Sequence, residues 1–350
     1  MKIIYDNLIY SLQRVGGISV YWYELSKRLL AEQEVDIKFY ETGLESQNIL
    51  RSLLEIDHSA IQKSKRVNLM VERFLKLPAV EEKNVFHSSY FRIPERSKNT
   101  KIVSTIHDFT HDLYYSGPRV WLHNNTKRKA IESSDVIITV SEHTKTDLMK
   151  FYPKIDEKRI VTVYNGVSED FYQVENISQI KDDQYVLFIG SREHYKNFDF
   201  TVNLISKLTG FKLYIVGSKL TQREEKFVKE SLGNRCEIFT GINNQKLNEL
   251  YNRAFCLIYP SFYEGFGIPL VEAMRAGCPF IALNTSSIPE VAGNAGILLL
   301  KLDLKLAIEA LENIKDNRMQ LVKEGLNQSK KFSWDDCYNN TFKIYRNLYD

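Results

Sequence analysis

The sequence predicts an α/β protein built from two doubly wound parallel-sheet domains. Short runs rich in β-branched and aromatic residues alternate with longer amphipathic stretches along the whole chain. This rhythm stops at the polar segment "QVENISQIKDDQ" (173–184) and then starts again. A length of 350 residues also suits two cores better than one. Nearly continuous apolar strands separated by helices are typical of parallel sheets that are covered on both faces.

The first half, residues 1–172, contains six strand-like runs that define one Rossmann-like domain. They are "KIIY" (2–5), "VDIKFY" (35–40), "NVFHSS" (84–89), "KIVSTIHD" (101–108), "DVIITVS" (135–141) and "RIVTVY" (159–164). Residues 173–184 are expected to form the interdomain linker, because no apolar periodicity continues through them.

The second half, residues 185–334, repeats the pattern and predicts a second Rossmann-like domain. Its strand-like runs are "YVLFIGS" (185–191), "KLYIVGS" (212–218), "CEIFTG" (236–241), "CLIYPS" (256–261), "PFIAL" (279–283) and "GILLL" (296–300). Ligands of such sheets bind at the carboxyl ends of the strands, so a ligand site is expected where these runs end.

Composition narrows the class of protein. Hydrophobic residues make up 43% and charged residues 26% of the chain, which is ordinary for a globular protein. The net charge of +3, from 47 basic and 44 acidic residues, is too balanced for a nucleic-acid binder. The 4 cysteines form no C-x-x-C pair, and no apolar run reaches the ~18 residues of a membrane span. The sequence begins with "KIIY" rather than a secretory leader, so a cytoplasmic protein is expected.

The segment "PSFYEGFGIPLVEAM" (260–274) is the most informative motif. It follows a strand and leads into a helix whose start is favoured by Pro269. Gly265 and Gly267 would let the backbone approach a ligand, and the helix N-terminus would suit phosphate. Glu264 and Glu272 would then accept hydrogen bonds from hydroxyl groups, and phosphate beside hydroxyls describes a nucleotide sugar.

Simpler interpretations of this motif stay open. An acid in a first helical turn is favoured by the helix dipole by only ~0.3–1 kcal/mol, which would explain Glu272 without a ligand. Glu264 would then be an ordinary loop charge. A dinucleotide fingerprint is disfavoured because Leu270 occupies the position of its third glycine.

The longer stretch "PSFYEGFGIPLVEAMRAGCPFIA" resembles the nucleotide-sugar-binding signature of family 4 retaining glycosyltransferases, whose two glutamates are separated by seven residues. Further segments follow in the family's order: "GGISVYWYELSKRL" (16–29), "TIHDFTHD" (105–112), "VSEHTKTDL" (140–148), "VYNGV" (163–167), "VLFIGSREHYKNFD" (186–199), "FTGINNQKLNELY" (239–251) and "SSIPEVAG" (286–293). The resemblance implies the GT-B fold, in which two Rossmann-like domains face each other across a cleft. It also implies that a terminal helix, 335–350, crosses back to the first domain.

The resemblance assigns roles to residues on both halves of the chain. It implies that Arg192 and Lys196 clamp the donor diphosphate, that Glu264 acts at the reacting sugar, and that His107 points toward that sugar. The residues that it implies in donor binding are Gly16, Gly17, Ile242, Gly265, Phe266, Gly267, Ile268, Leu270, Val271 and Glu272.

Each of these positions also has a structural explanation. Arg192 and Lys196 could be solvated loop cations, and paired glycines such as Gly16 and Gly17 most often form a tight turn. His107 could be a histidine whose hydrogen bonds are satisfied at the end of a strand.

The activity implied is retaining transfer of a hexose without a metal or other cofactor. The best match is mannose from GDP-mannose, moved to a glycan or undecaprenyl-linked oligosaccharide of a bacterial-type surface polysaccharide such as O-antigen or capsule. Enzymes that use a UDP-hexose are an alternative within the class. A phosphorylase, a nucleotide-sugar epimerase and a non-catalytic nucleotide-sugar-binding subunit are alternatives outside it.

The acceptor side of the sequence is less informative. Residues 61–78, "IQKSKRVNLMVERFLKLP", mix basic and apolar side chains and predict a basic amphipathic helix. Such a helix could lie on an anionic membrane at the inner face of the cell, or pack on its own domain with a solvated basic face. Tyr114, Tyr115 and Trp121 could stack on acceptor sugars or belong to the core.

Overall fold

Both halves of the chain fold into sheets whose strands are all parallel. The computed structural model describes residues 1–43, 46–64, 68–174 and 184–350. Contacts within the chain divide it into two compact units, residues 1–166 with 334–350 and residues 167–333. The predicted linker, 173–184, lies outside the described residues except at positions 173, 174 and 184.

The first unit is centred on a seven-stranded sheet. Its strands are β1 (Lys2–Asp6), β2 (Asp36–Glu41), β3 (Ile61–Lys63), β4 (Asn84–Ser88), β5 (Thr100–Ile106), β6 (Val136–Thr139) and β7 (Ile160–Thr162). Their order in the sheet is β3-β2-β1-β4-β5-β6-β7. The chain therefore starts in the middle of the sheet and builds outward to both edges, as a doubly wound fold does.

Helices connect these strands. They are α1 (Ile9–Leu12), α2 (Gly17–Leu29), α3 (Ile49–Ser52), α4 (Leu69–Glu72), α5 (Thr110–Tyr114), α6 (Pro118–Ser133) and α7 (Glu142–Phe151). Short 3-10 turns lie at His58–Ala60 and Glu157–Arg159.

The second unit is centred on a six-stranded sheet. Its strands are β8 (Tyr185–Ile189), β9 (Lys212–Val216), β10 (Cys236–Phe239), β11 (Cys256–Tyr259), β12 (Phe280–Leu283) and β13 (Ile297–Leu299). They lie in the order β10-β9-β8-β11-β12-β13. The loops after β8 and β11 therefore start side by side.

The helices of this unit are α8 (Phe198–Ser206), α9 (Gln222–Leu232), α10 (Asn244–Arg253), α11 (Ile268–Arg275), α12 (Ile288–Ala292) and α13 (Leu304–Ser329), with a 3-10 turn at His194–Lys196. The last helix, α14 (Trp334–Tyr349), belongs to the first unit. No helix among the described residues is long and apolar enough to cross a membrane.

A polar network within an aromatic core attaches α14 to the first sheet. Tyr345 is fully buried, and its hydroxyl lies 2.8 Å from that of Tyr5 and 2.5 Å from Nδ1 of His87. Nε2 of His87 lies 2.9 Å from Oγ1 of Thr105. Because buried polar groups need partners, this chain of hydrogen bonds favours one fixed position for α14.

The predicted amphipathic helix over 61–78 is wrong. Ile61–Lys63 form β3, which pairs with β2, and only Leu69–Glu72 are helical; residues 65–67 lie outside the described part of the chain. Glu72 is buried and forms an ion pair with Arg92, with Oε1 and Nη1 3.4 Å apart. The pairing of β3 with β2 and the buried ion pair of Glu72 hold this segment in place. These tertiary interactions override the helical propensity that the spacing of apolar residues suggests.

Candidate functional site

The motif at 260–274 forms the expected strand, loop and helix. β11 ends at Tyr259, and α11 begins at Ile268 with Pro269 in its first turn. Gly267 has φ of 99°, and Gly277, just beyond the helix, has φ of 69°. L-residues with a side chain rarely adopt these conformations, so glycine is required to start and end this helix.

Two serines from the loop after β12 hold the glutamate-containing loop in place. The backbone N–H of Glu264 donates to Oγ of Ser286 at 3.0 Å. The hydroxyl of Ser287 lies 2.9 Å from the carbonyl oxygen of Glu264 and 3.0 Å from that of Phe266. Ser287 is fully buried, so the loop has a fixed backbone before any ligand arrives.

Lys196 and Glu264 meet in an ion pair. Nζ of Lys196 lies 2.5 Å from Oε1 of Glu264, and the two side chains are 13% and 11% exposed. The ammonium group also lies 5.5 Å from the ring centre of Tyr259. The structure thus brings together two predicted site residues that are 68 positions apart in the sequence.

Arg192 lies in the loop after β8 and is held by the neighbouring β9–α9 connection. Its Nε donates to Oε1 of Glu224 at 2.8 Å, and its Nη2 donates to Oγ of Ser218 at 3.1 Å and to the carbonyl oxygen of Lys219 at 2.7 Å. The side chain is only 5% exposed. Its Nη1 is buried and has no hydrogen-bond partner among the residues that the structure describes. A buried charged donor without a partner is unusual, and a ligand oxygen would satisfy it.

Glu272 lies one turn into α11 and contacts Tyr251 of α10. The tyrosine hydroxyl lies 2.8 Å from Oε2 of Glu272 and 3.2 Å from the carbonyl oxygen of Pro269. Burial raises the pKa of Glu272 to about 7, although the hydrogen bond from Tyr251 lowers it. A carboxylate with this pKa can take up or lose a proton when a ligand arrives.

The remaining predicted residues of α11 contribute mainly to the core. The side chains of Leu270 and Val271 are fully buried, Phe266 is 4% exposed, and Ile268 is partly exposed. The N–H of Leu270 donates to the carbonyl oxygen of Gly267. Donor contacts predicted at Leu270 and Val271 would therefore have to involve backbone rather than side-chain atoms.

Ile242 lies between Gly241, with φ of 64°, and Asn243, which caps α10. The Asn243 side chain accepts from the N–H of Lys246 at 2.9 Å. Ile242 is partly exposed beside an exposed glycine, which leaves the backbone of this turn accessible.

In the first unit, Gly16 and Gly17 mark the start of α2. Gly16 is the N-cap residue, and its N–H donates to Oγ of Ser19 at 2.9 Å. A Cβ on Gly16 would lie 2.6 Å from Oε1 of Gln13, whereas a Cβ on Gly17 would meet no atom within 4 Å. Gly16 and Gly17 are therefore the N-cap and the first residue of α2, and the backbone at Gly17 is exposed.

His107 follows β5 and packs edge-on against Tyr21, with ring centres 4.9 Å apart. Burial lowers its pKa to about 4, although Asp108 raises it. The imidazole is therefore neutral near pH 7. Oδ1 of Asp108 accepts from the N–H of Thr110 at 2.9 Å, at the start of α5.

The aromatic side chains considered for acceptor sugars are exposed rather than part of the core. Trp121 is 68% exposed, and Tyr114 and Tyr115 are 39% and 40% exposed. They lie in and beside α5 and α6 of the first unit.

Several residues that shape the site have no signal in the sequence. They are Ser218, Glu224, Tyr251, Tyr259, Ser286 and Ser287, which contact predicted site residues through space. Tyr251, Ser286 and Ser287 belong to segments that resemble the family, "FTGINNQKLNELY" and "SSIPEVAG", but their hydrogen bonds could not be read from those segments.

Comparison with known families divides the chain near the same place as the structure does. Residues 15–171 match the family model described as Glycosyltransferase Family 4, and residues 172–328 match the model described as Glycosyl transferases group 1. Together the two models span most of the chain.

Curated relatives match either nearly the whole chain or about half of it. O-antigen chain mannosyltransferase B of Escherichia coli is 26% identical, over 99% of this chain and 100% of that protein. O-antigen chain mannosyltransferase RfbU of Salmonella typhimurium is 29% identical, over 51% of this chain and 50% of that protein.

Among solved structures, sucrose-phosphate synthase from Thermosynechococcus elongatus superposes with a TM-score of 0.78 at 17% identity, covering 100% of this chain and 99% of that one. WaaG, a glycosyltransferase involved in lipopolysaccharide biosynthesis, superposes with a TM-score of 0.68 at 15% identity, covering 99% of each chain. At such identities the likeness shows the fold, which is GT-B. With a family model on each half, the chain belongs to the glycosyltransferases that combine a Glycosyltransferase Family 4 domain with a Glycosyl transferases group 1 domain.

Proposed function

We propose that this protein is a retaining hexosyltransferase that moves mannose from GDP-mannose to a glycan or lipid-linked oligosaccharide of a surface polysaccharide. The two O-antigen mannosyltransferases that resemble it support this choice of sugar and pathway. The proposed donor site rests on the ion pair between Lys196 and Glu264, two residues in the loops that precede α8 and α11. In the same unit, Nη1 of Arg192 has no hydrogen-bond partner among the described residues.

The cations of the second unit suit a diphosphate leaving group. Nη1 of Arg192 offers N–H donors that no described residue uses, and the N-terminus of α11 adds the positive end of a helix dipole. Because these positive groups are already in position when the reaction starts, they stabilise the negative charge that develops on the departing diphosphate.

The Lys196–Glu264 pair can exchange partners when the donor binds. In the free protein, Glu264 neutralises the Lys196 ammonium group at 2.5 Å. A phosphate oxygen would compete for Lys196, and Glu264 would then accept hydrogen bonds from sugar hydroxyls. The site would thus keep its charges paired before and after binding, which limits the cost of burying them.

Glu272 is proposed to read the ribose. Its carboxylate would accept hydrogen bonds from the two ribose hydroxyls, and Tyr251 would hold it in place from the opposite side. Recognition of ribose is common to all nucleotides, so base selection would fall to other groups, such as the backbone near Ile242.

The transfer itself exchanges one carbon–oxygen bond for another. The bond from the anomeric carbon to the diphosphate breaks, and a bond to the acceptor hydroxyl forms on the same face of the sugar. The acceptor proton passes to the departing diphosphate, so the step needs no further reactant. We propose that the cations above make this step independent of metal ions.

Contact with an anionic membrane is also proposed for the region 61–78, although not through one long helix. Met70, Val71 and Leu75 are 56%, 50% and 48% exposed, and the exposed Lys76 lies beside them. Apolar side chains next to a cation suit the headgroup region of an anionic bilayer. Co-sedimentation with phosphatidylglycerol vesicles, compared with phosphatidylcholine vesicles, tests this contact.

Donor specificity is tested first by binding. GDP, UDP, ADP, dTDP and their common sugar conjugates are compared by thermal shift, with Glu272→Ala as the control. A ligand at ~100 times its Kd adds ~2.7 kcal/mol of apparent stability. The proposal predicts the largest shift with GDP-mannose and none in the control. A largest shift with a UDP-hexose would instead assign the alternative donor.

Turnover separates an enzyme from a binding subunit. GDP-mannose is incubated with a lipid-linked oligosaccharide acceptor, with and without EDTA, and proton NMR of the product reports the anomeric configuration. Retention with EDTA present is expected. Release of GDP with no acceptor dependence would indicate another reaction, and donor binding without turnover on any acceptor would indicate a non-catalytic subunit.

A further inference from the structure

The loop after β9 and the first turn of α9 form a socket around Arg192 whose role goes beyond the proposed donor contacts. The socket consists of Ser218, Lys219 and Glu224. An arginine side chain has five N–H donors, one on Nε and two on each Nη. The socket accepts from Nε and twice from Nη2, whereas the N–H groups of Nη1 have no partner in the part of the chain that the structure describes.

The unused nitrogen lies where the ends of β8 and β9 come close together. A Cβ on Gly217 would lie 2.6 Å from the carbonyl oxygen of Gly190 and 3.4 Å from Nη1 of Arg192. Gly190 has φ of 124°, where glycine is favoured. A side chain at position 217 would collide with the Gly190 carbonyl oxygen, so glycine at this position lets the ends of β8 and β9 approach each other beside Nη1.

The two carboxylate oxygens of Glu224 have separate partners. Oε2 accepts from the N–H of Thr221 at 2.7 Å and from its hydroxyl at 2.8 Å, which completes the capping box of α9. Oε1 accepts from Nε of Arg192. Helix capping needs only one of these oxygens, so the second is available to hold the arginine.

We propose that Glu224 is a positioning residue for the donor site: with Ser218 and the Lys219 carbonyl, it fixes Arg192 so that Nη1 alone is presented to a phosphate oxygen. This inference rests on the proposed function, because it takes the donor diphosphate as the partner of Arg192. A guanidinium fixed before binding loses less rotamer freedom when the ligand arrives, and its orientation is already correct.

The chain offers a matched pair of variants for the test. Glu224→Gln keeps a carbonyl oxygen for the helix cap but replaces the charged acceptor that faces Nε. Glu225→Gln removes the same charge from the next residue of the same helical turn, and that side chain is exposed. Any effect of charge at the α9 N-terminus is shared by both variants, whereas the contact with Arg192 is lost only in the first.

The experiment is calorimetric titration of the intact protein with GDP, and with UDP if GDP does not bind. We expect Glu224→Gln to weaken binding about tenfold and Glu225→Gln to weaken it less than about twofold. In an Arg192→Ala background, Glu224→Gln should weaken binding less than about twofold further, because the residue that it positions is absent.

A purely structural role for Glu224 gives a different pattern. The loss caused by Glu224→Gln would then persist in the Arg192→Ala background, and this result would overturn the inference. Equal effects of Glu224→Gln and Glu225→Gln would overturn it as well. If Glu224→Gln does not fold by circular dichroism, Ser218→Ala replaces it, with an expected loss of about threefold that also disappears without Arg192.

Failure of the proposed function is distinguishable from failure of this inference. A wild-type protein that binds neither GDP nor UDP overturns both. A wild-type protein that binds one of them, with no coupling between Glu224 and Arg192, overturns only the positioning role.

Discussion

Replacement of Glu272 by glutamine should stabilise the free protein while weakening its binding of nucleotides. Burial raises the pKa of this carboxyl group from an ordinary 4.5 to about 7. At higher pH the folded protein must keep a partly buried carboxylate ionised, which costs free energy relative to the unfolded chain. Glutamine has no charge and can still accept the hydrogen bond from Tyr251.

The magnitude follows from linkage between protonation and folding. A difference of one pKa unit is worth ~1.4 kcal/mol, so the shift of Glu272 costs up to ~3 kcal/mol. Between about pH 4.5 and pH 7 the folded state binds more protons than the unfolded state. Wild-type stability contributed by this group therefore falls as pH rises through that window. Glu272→Gln should gain less than ~1 kcal/mol near pH 5 and up to ~3 kcal/mol near pH 8.

Urea unfolding followed by circular dichroism at the two pH values measures this gain, with the exposed Glu225→Gln as the control. The control should change the free energy of unfolding little, and equally at both pH values. A gain from Glu272→Gln that does not depend on pH would refute the assignment of the raised pKa. In the wild type, nucleotide affinity should rise between about pH 6 and pH 8, because ribose hydroxyls donate to the ionised carboxylate.

Three further outcomes test the other predicted site residues. Arg192→Ala and Lys196→Ala should each lower turnover roughly 100-fold, because each removes positive charge from the departing diphosphate; unchanged kcat in both would rule out the clamp. Glu264→Gln should lower turnover but spare GDP affinity measured by calorimetry, whereas Glu272→Gln should weaken every nucleotide, and equal losses would mean that the two roles are misassigned. His107, with its pKa lowered to about 4, should show no change in its imidazole NMR shift between about pH 5.5 and pH 8, whereas a midpoint near the ordinary ~6.5 would contradict its burial.

Much of the fold could be predicted because the central strands of both sheets are buried on both faces. Such strands appear as short apolar runs, and the predicted runs in each half correspond to β1, β2 and β4–β13. β3 escaped prediction because it is a three-residue edge strand with two exposed side chains, Gln62 and Lys63. Its sequence, "IQK", has no apolar alternation, and only pairing with β2 makes it a strand.

The error at 61–78 has a related cause. The spacing of apolar and basic residues favours a helix, but spacing does not show which side chains face inward. Glu72, which would lie on the polar face of such a helix, is 1% exposed and paired with Arg92. A long-range ion pair of this kind cannot be inferred from local periodicity.

At the candidate site, the features that depend on local chain geometry could be predicted from the sequence. Gly267, Pro269 and Gly277 mark the start and end of α11 because each relaxes or restricts the backbone at its own position. The glutamate spacing could be read for the same reason, since both residues lie on one continuous strand–loop–helix segment.

The ion pairs and protonation states of the site residues depend instead on how the chain folds. Lys196 meets Glu264, and Glu224 meets Arg192, because β8 lies between β9 and β11 in the sheet. The pKa of Glu272 likewise depends on its burial, which raises it, and on the hydrogen bond from Tyr251 of another helix, which lowers it. Ion pairing and desolvation depend on distances between segments that are remote in the sequence, whereas glycine and proline act on the backbone where they stand.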